Sequence, residues 1–385
     1  MRNMIIFAVL SILVACSNNN SISAGSQIQS FANGSNQIKF QTFETVLNKE
    51  QGNDNYQLLN CAIIGNETYL IFNNQEKNQI VAYHLKNGLD SNLNFGMLDE
   101  ASLEAKVAFN PDTSFYILGP DLILKENDQF GSKTILNIYN FLKVQKLSVE
   151  HPRLEFAFQV QSDSLLFFPL HIDPFSRGYV KMYDYPMTAV YNLRTGELKT
   201  TGIRYPKHYY ENDYGLLRTI TQIYSPNKII YNPRAQDEVW EYNTLNDSII
   251  KHVFRSRFQQ KEIMPINFKS TPKTKDLLVK HRDLSGEYTH LVYDPYKKVY
   301  YRFFKHFRAE KDKDGLYSTN LDDIYSLIVA DENFRFLGEF VLPDPCFFIY
   351  CAYATPNGLI INNGSLYGEH NNEINVRTIT FDWLD

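Results

Sequence analysis

Apolar residues along this chain gather in short continuous runs. Six of these are Tyr69-Leu70-Ile71-Phe72, Phe115-Tyr116-Ile117-Leu118, Leu165-Leu166-Phe167-Phe168, Ile229-Ile230-Tyr231, Leu277-Leu278-Val279 and Leu359-Ile360-Ile361. Each follows a tight turn such as Gly65-Asn66, Pro111-Asp112-Thr113, Ser225-Pro226-Asn227 or Thr271-Pro272-Lys273. Proline presets φ, and Asn, Asp and Gly tolerate the positive φ that such turns require. Unbroken apolar runs of this length mark strands buried on both faces.

A second series closes the pattern, in which an apolar run ends on Tyr, Ala or Phe plus a small polar residue. Its members are Tyr83-His84, Tyr139-Asn140, Tyr191-Asn192, Tyr242-Asn243, Tyr293-Asp294, Ala330-Asp331 and Phe381-Asp382. Most steps are about 50 residues, the length of one four-stranded propeller blade. The cadence therefore predicts an all-β chain, a seven-bladed β-propeller of four-stranded antiparallel blades. The step from Tyr293 to Ala330 is short, and no second-strand run precedes Ile324-Tyr325-Ser326-Leu327, so the sixth blade reads as incomplete. Six blades is the alternative count. The last anchor lies almost at the C-terminus, which leaves the final blade without an outer strand. Gln37 to Glu44 alternates with strand period and is expected to supply it, closing the ring from the N-terminal side and removing exposed edges.

The N-terminus divides differently. Met1-Arg2-Asn3 is a positive start, Met4 to Val14 is apolar, and Leu13-Val14-Ala15-Cys16 is a small-residue site ending in cysteine. This resembles a bacterial lipoprotein signal with its lipobox, and the apolar stretch is too short to span a hydrocarbon core of about 30 Å. The resemblance implies that Cys16 is the lipidation site and anchors the chain to the membrane through its acyl chains. Residues 17–36 are mostly Ser, Asn, Gly and Gln, with isolated Ile, Ala and Phe and without a charge, a flexible tether. The organisation is thus 1–16 signal peptide, 17–36 tether and 37–385 propeller. No Asp stands just after Cys16 and no acidic cluster follows it, which by resemblance to Gram-negative lipoproteins implies an outer-membrane lipoprotein on the periplasmic side of the envelope.

Net charge is −5, which argues against a nucleic-acid partner. Apart from Cys16, three cysteines remain, Cys61, Cys346 and Cys351, an odd number. No Cys-x-x-Cys occurs and no histidines stand at ligand spacing, so neither a metal nor a cofactor is expected. Across nearly its whole length the chain resembles the domain of unknown function 4221 family of Bacteroidota lipoproteins, propeller-like proteins of this size. The lipobox, the Asn/Ser tether and aromatic repeats such as Met187-Thr188-Ala189-Val190-Tyr191-Asn192-Leu193 carry that resemblance. It implies a fold and a location, and no catalytic residue.

Turns between first and second strands, and between third and fourth, are short. Sequence length has accumulated in the loops of the opposite face, where binding residues concentrate on a rigid scaffold. Candidate ligand-binding residues there are His171, Asp173 and Arg177 in one loop and His208, Tyr209 and Tyr210 in the next, with Arg234, Arg282 and His370 in neighbouring loops. Arginine suits a carboxylate, phosphate or acidic sugar, and tyrosine suits stacking. Gly-x-Ser-x-Gly, His-Glu-x-x-His and phosphate-loop motifs are absent. The expectation is a non-enzymatic binding or scaffold lipoprotein for a partner protein, glycan or anionic ligand. A hydrolase or lyase acting on polysaccharide through long-loop carboxylates is the alternative.

Overall fold

The computed structural model describes residues 38–48, 56–64, 67–74, 79–84, 88–97, 106–109, 115–118, 123–128, 131–137, 159–161, 165–170, 186–206, 208–209, 212–225, 227–266, 274–310, 323–342, 348–362 and 373–383. Among them are one α-helix and six four-stranded antiparallel sheets. The chain enters through β1 (Ile38–Asn48). The first sheet is β2 (Tyr56–Ile64), β3 (Glu67–Asn74), β4 (Gln79–His84) and β5 (Gly88–Met97). The second is β6 (Lys106–Phe109), β7 (Phe115–Leu118), β8 (Ile123–Asp128) and β9 (Gly131–Asn137). The third is β10 (Gln159–Gln161), β11 (Leu165–Pro169), β12 (Thr188–Asn192) and β13 (Glu197–Thr200). The fourth is β14 (Ile220–Ser225), β15 (Lys228–Pro233), β16 (Glu238–Asn243) and β17 (Ile249–Val253). Helix α1 (Lys275–Leu284) precedes the fifth, β18 (Glu287–Asp294), β19 (Val299–Lys305), β20 (Tyr325–Asp331) and β21 (Phe336–Val341). The sixth runs β22 (Phe348–Thr355), β23 (Gly358–Asn362), β24 (Glu373–Trp383), with β1 as its fourth strand.

The sheets meet through their first strands. β2 touches β6, β6 touches β10, β10 touches β14, β14 touches β18, β18 touches β22, and β22 in turn touches β2. β1 pairs with β24 in unbroken antiparallel register from Ile38 opposite Trp383 to Asn48 opposite Glu373. The segment expected to supply an outer strand to the last sheet is therefore part of it. Cys61 and Cys351 lie on β2 and β22, the first strands of the first and last sheets.

The described core consists of three layers between consecutive sheets. Phe167, Met187 and Ile203 meet Ile220, Tyr224, Tyr231 and Trp240 between the third and fourth sheets. Ile230, Val239 and Phe254 meet Tyr288, Tyr300 and Phe304 between the fourth and fifth. Tyr301, Phe303 and Val329 meet Leu359, Ile361 and Ile379 between the fifth and sixth. Strand alternation serves two layers at once: Val299, Tyr301 and Phe303 of β19 face the sixth sheet, while Tyr300 and Phe304 face the fourth. This explains why the second strands read as continuous apolar runs.

Five of the six runs expected to be second strands are second strands, in β3, β7, β11, β15 and β23. Leu277-Leu278-Val279 is not; it lies inside α1. Thr274 caps that helix, its hydroxyl accepting from the Leu277 amide at 3.2 Å, with Asp276 in the first turn and His281 and Arg282 in the last. A side-chain cap and this charge order favour the helix over an extended strand. The second strand of the fifth sheet is β19, whose apolar run Val299-Tyr300-Tyr301-Arg302-Phe303-Phe304 is interrupted by an arginine. Tyr293-Asp294 accordingly ends a first strand, whereas Ala330-Asp331 ends the third strand of the same sheet. The short step between them is the width of part of one sheet, and the described residues form six sheets where the cadence favoured seven. Tyr139-Asn140 lies outside the described residues, as does the signal segment with Cys16.

Gly358 opens β23 with φ of 135°, and a Cβ there would run into the Ile379 carbonyl of β24. Replacing Gly358 by Ala is expected to lower the unfolding free energy by about 1–3 kcal/mol. Denaturant melts of the two chains measure this directly.

Candidate functional site at the loop end of the fourth and fifth sheets

Antiparallel pairing brings the start of each first strand and the end of each second strand to the same end of a sheet. Ile220 stands opposite Pro233, and Glu287 opposite Lys305. The loop after β15, the segment before β14, helix α1 and the segment after β19 therefore share one end. Backbone bonds tie them together: the Arg234 amide donates to Thr219 O at 3.2 Å, and the Tyr288 amide donates to Arg234 O at 2.9 Å.

Three buried charges occupy this junction. Arg234 donates through Nε and Nη2 to Glu287 Oε2 at 3.0 and 2.7 Å, and Lys305 Nζ reaches Glu287 Oε1 at 3.1 Å. The ammonium also donates to the Arg282 carbonyl at 2.7 Å, tying the last turn of α1 to β19. Their side chains are 7%, 4% and 3% exposed. Burial alone would raise the Glu287 pKa, but the facing Arg234 and Lys305 cations outweigh it and hold the carboxyl below its ordinary range. Charge-assisted bonds to both carboxylate oxygens keep the buried carboxylate satisfied.

Beside this cluster lies Arg302, fully buried on the face of β19 that looks at the fourth sheet. Its Nε donates to Asn232 Oδ1 at 2.8 Å, and Nη1 donates to the carbonyls of Asp237 at 3.1 Å and Phe254 at 2.6 Å. Nη2 points at the carbonyls of Pro233, Gln236 and Glu238, at 3.3, 2.7 and 3.2 Å. The Tyr288 ring stacks on the guanidinium at 3.6 Å. Desolvation pushes its pKa down to about 10, which leaves it charged at neutral pH. All of the loop that carries Arg234 is thus held by one side chain from the neighbouring sheet.

Of the residues singled out from the sequence, four are described. Arg234 is buried in the triad. Arg282 is 36% exposed and binds Asp283 Oδ1 through Nε and Nη2 at 2.9 and 2.7 Å. It shares the Glu287–Lys305 junction with Arg234, so the structure brings these two arginines together. His208 is half-buried against the Gln236 side chain. Tyr209 is buried among the rings of Tyr205, His208 and Tyr214, with centroids 6.2, 5.0 and 5.1 Å away. Burial raises its hydroxyl pKa well above the ordinary value. His171, Asp173, Arg177, Tyr210 and His370 lie outside the described residues.

Sequence reasoning missed Glu287, Arg302 and Lys305. A signal existed: β19 places a basic residue inside and another at the end of an otherwise aromatic strand, a pattern that only a buried, partnered charge permits. Nearby, His281 Nε2 pairs with Met264 O at 2.8 Å and burial lowers its pKa. Arg308 pairs with Asp323 at 2.9 Å, and burial raises that carboxyl. The arrangement can brace loops, and it leaves Arg282 and the exposed Lys280–Glu310 pair at the outer surface.

The sheets and their order define an all-β, propeller-like protein. More than half of the chain, residues 122–340, matches the family described as Domain of unknown function (DUF4221), and the chain belongs to that family. A crystal structure of a member of this family from Bacteroides vulgatus is 18% identical, with TM-score 0.69 over 91% of this chain and 100% of that one. A putative exported protein from Bacteroides fragilis is 9% identical with TM-score 0.48, over 92% of this chain and 98% of that one. A gluconolactonase from Xanthomonas campestris is also 9% identical, with TM-score 0.46 over 95% and 99%. No curated protein matches. Among the described residues no helix is long and apolar enough to cross a membrane.

The lowered Glu287 pKa fixes a sign for acid stability. Its contribution is fully present above the unfolded carboxyl value of about 4.3 and is lost as pH falls through the lower folded value. Glu287→Gln is expected to cost about 3–5 kcal/mol at neutral pH, because two buried cations lose their carboxylate. The gap to the unaltered chain should narrow in denaturant melts carried below about pH 4.

Proposed function

We propose that this chain is a non-enzymatic binding or scaffold protein of the cell envelope, built as a six-bladed propeller whose ring is closed by β1 on β24. The run of first-strand contacts returning from β22 to β2, and the full-length register of β1 on β24, support the closed ring. Closure of this kind leaves the blades without a free end. The lipobox at Leu13 to Cys16 supports anchoring by acyl chains at Cys16, on the periplasmic side of the outer membrane.

One observation carries the binding reading. At the loop end of the fourth and fifth sheets the charges of Arg234, Glu287 and Lys305 are spent on one another, and that of Arg302 on Asn232 and backbone carbonyls. Loops fixed in this way lose little entropy on meeting a partner, which is what a preorganised platform needs. The half-exposed guanidinium of Arg282 lies at its surface. His208 and Tyr209 precede β14 at this end, whereas His171, Asp173 and Arg177, which follow β11 in sequence, and His370, which follows β23, lie outside the described residues. The platform fits a protein, glycan or small ligand that presents an anionic group.

Two measurements test this. Cys16→Ser should move the chain from the membrane fraction to the soluble fraction, and unchanged fractionation overturns the anchor. For the platform, calorimetric titration with uronate and sialylated oligosaccharides should reveal an acidic ligand whose affinity falls when Arg282 or Arg177 becomes Ala. A loss of roughly 1.5 to 3 kcal/mol is expected, with melting unchanged because exposed charges contribute little to stability. Ligand affinity indifferent to both substitutions would falsify the assignment of this end.

A further inference from the structure

Outer strands of open sheets are hazards that folded chains usually blunt. Two of the described outer strands are treated so. β13 carries Glu197 and Lys199, paired at 2.9 Å. β21 is covered by the segment after β17: Ser256 Oγ donates to Glu339 Oε1 at 2.5 Å, the Arg257 amide donates to Glu339 Oε2 at 2.6 Å, and the Arg257 guanidinium sits 4.0 Å from the Phe336 ring. β17 carries a single exposed charge, Lys251, among apolar positions. Ile249, Ile250 and Val253 are 50%, 52% and 69% exposed, and Leu245 in the turn before them is 75% exposed.

Among the described residues no strand pairs with the outer backbone edge of β17 either. The Asn243 amide donates to Ser248 O at 2.9 Å, and the Phe254 amide donates to Asp237 O at 2.8 Å. Antiparallel alternation then turns the amides and carbonyls of residues 248, 250, 252 and 254 toward β16, and those of Ile249, Lys251 and Val253 outward. The side chains of these three share one face. Charge adds direction. The chain is acidic overall, yet Lys251, Arg255, Arg257 and Lys261 follow in close succession. Lys251 is paired with Glu238 at 3.1 Å, and Arg255 reaches Asp237 at 3.7 Å. Arg257 and Lys261 place their cations on the rings of Phe336 and Phe307, with the Glu339 carboxylate also near Arg257.

We propose that β17 is a docking edge for an extended segment of a partner protein, one that runs antiparallel to it, is apolar at alternate positions, and is acidic at its N-terminal end. Ile249 and Val253 meet the apolar positions, the outward groups of Ile249, Lys251 and Val253 complete the ladder, and Arg255, Arg257 and Lys261 meet the acidic end. A second copy fits worse: the two-fold register that sets Ile249 against Val253 also sets Lys251 against Lys251, like charges directly opposed. This edge is distinct from the loop platform, and its test is independent of it.

The probe is a fluorescent peptide of alternating valine and threonine preceded by glutamates, with a lysine-headed peptide as control, read by anisotropy on the purified full chain. Lys251→Pro removes one outward amide without touching the ladder to β16, Lys251→Ala removes only the side chain, and Val253→Asp sets a negative charge on an exposed position. The proposal expects binding of the glutamate peptide to the unaltered chain and to Lys251→Ala. It expects a loss of about tenfold or more for Lys251→Pro, for Val253→Asp and for the lysine peptide, with melting of every variant unchanged. It is overturned if the peptide does not bind, or if binding ignores Lys251→Pro and Val253→Asp. Concentration-dependent dimerisation that Lys251→Pro abolishes also overturns it and assigns the edge to a second copy.

Discussion

The fourth and fifth sheets depend on a single guanidinium. Arg302 sits where strand alternation demands an apolar residue, between Tyr300 and Phe304 on a face that is otherwise aromatic. A buried charge there would cost several kcal/mol if left unpaired. Six acceptors from the neighbouring sheet and its loops surround it, five of them backbone carbonyls, of which Asp237 also accepts from the Phe254 amide. The exchange is mutual: the turn from Pro233 to Glu238 gains donors, and the guanidinium gains a substitute for water. Because the acceptors span that turn and Phe254, the position of β19 fixes the start of β16 and the exit from β17 together.

That coupling explains why the Arg234–Glu287–Lys305 cluster can exist. Glu287 and Lys305 are a cross-strand pair within the fifth sheet, whereas Arg234 belongs to the fourth. A three-charge arrangement is favourable only when its geometry is set in advance, since ordering long side chains and desolvating them both oppose it. Arg302 supplies that order by clamping the loop that begins at Arg234. The Lys305 bond to the Arg282 carbonyl extends it to α1, which itself buries Leu278. Rigidity thus passes from an aromatic layer, through one arginine, to the surface where Arg282 is presented.

The sequence was most legible where each face of a strand meets a neighbouring sheet. Leu70-Ile71-Phe72, Leu166-Phe167-Phe168, Ile229-Ile230-Tyr231 and Leu359-Ile360-Ile361 are apolar throughout because both faces are buried, and a turn residue announces each. The hairpin around Gly196, at φ 70°, was legible for the same local reason. β19 was hidden by Arg302, since burial of a charge depends on acceptors that lie some 65 residues away in sequence and leave no local trace. With β19 unseen, Leu277-Leu278-Val279 took its place in the cadence, although Thr274 and Asp276 already marked a helix start. The blade count followed that single exchange. At the loop end, residue type suggested both Arg234 and Arg282 but could not separate them by burial, because what buries Arg234 is Glu287 on another sheet.

The outer rim obeys a different constraint from the inner layers. Inside, a polar group without a partner is costly, and Asn232, Thr188 and Gln222 find theirs through short side-chain bonds. At the rim, water satisfies an edge at no structural cost, so nothing in the folding of the fourth sheet requires Ile249, Ile250 and Val253 to be apolar. Their exposure contributes little to the fold and raises the hazard of unwanted pairing, a burden that the charged β13 and the covered β21 avoid. A position that burdens the folded chain without stabilising it is best explained by an encounter outside it. The basic run that follows β17 sets the polarity of the segment it would receive.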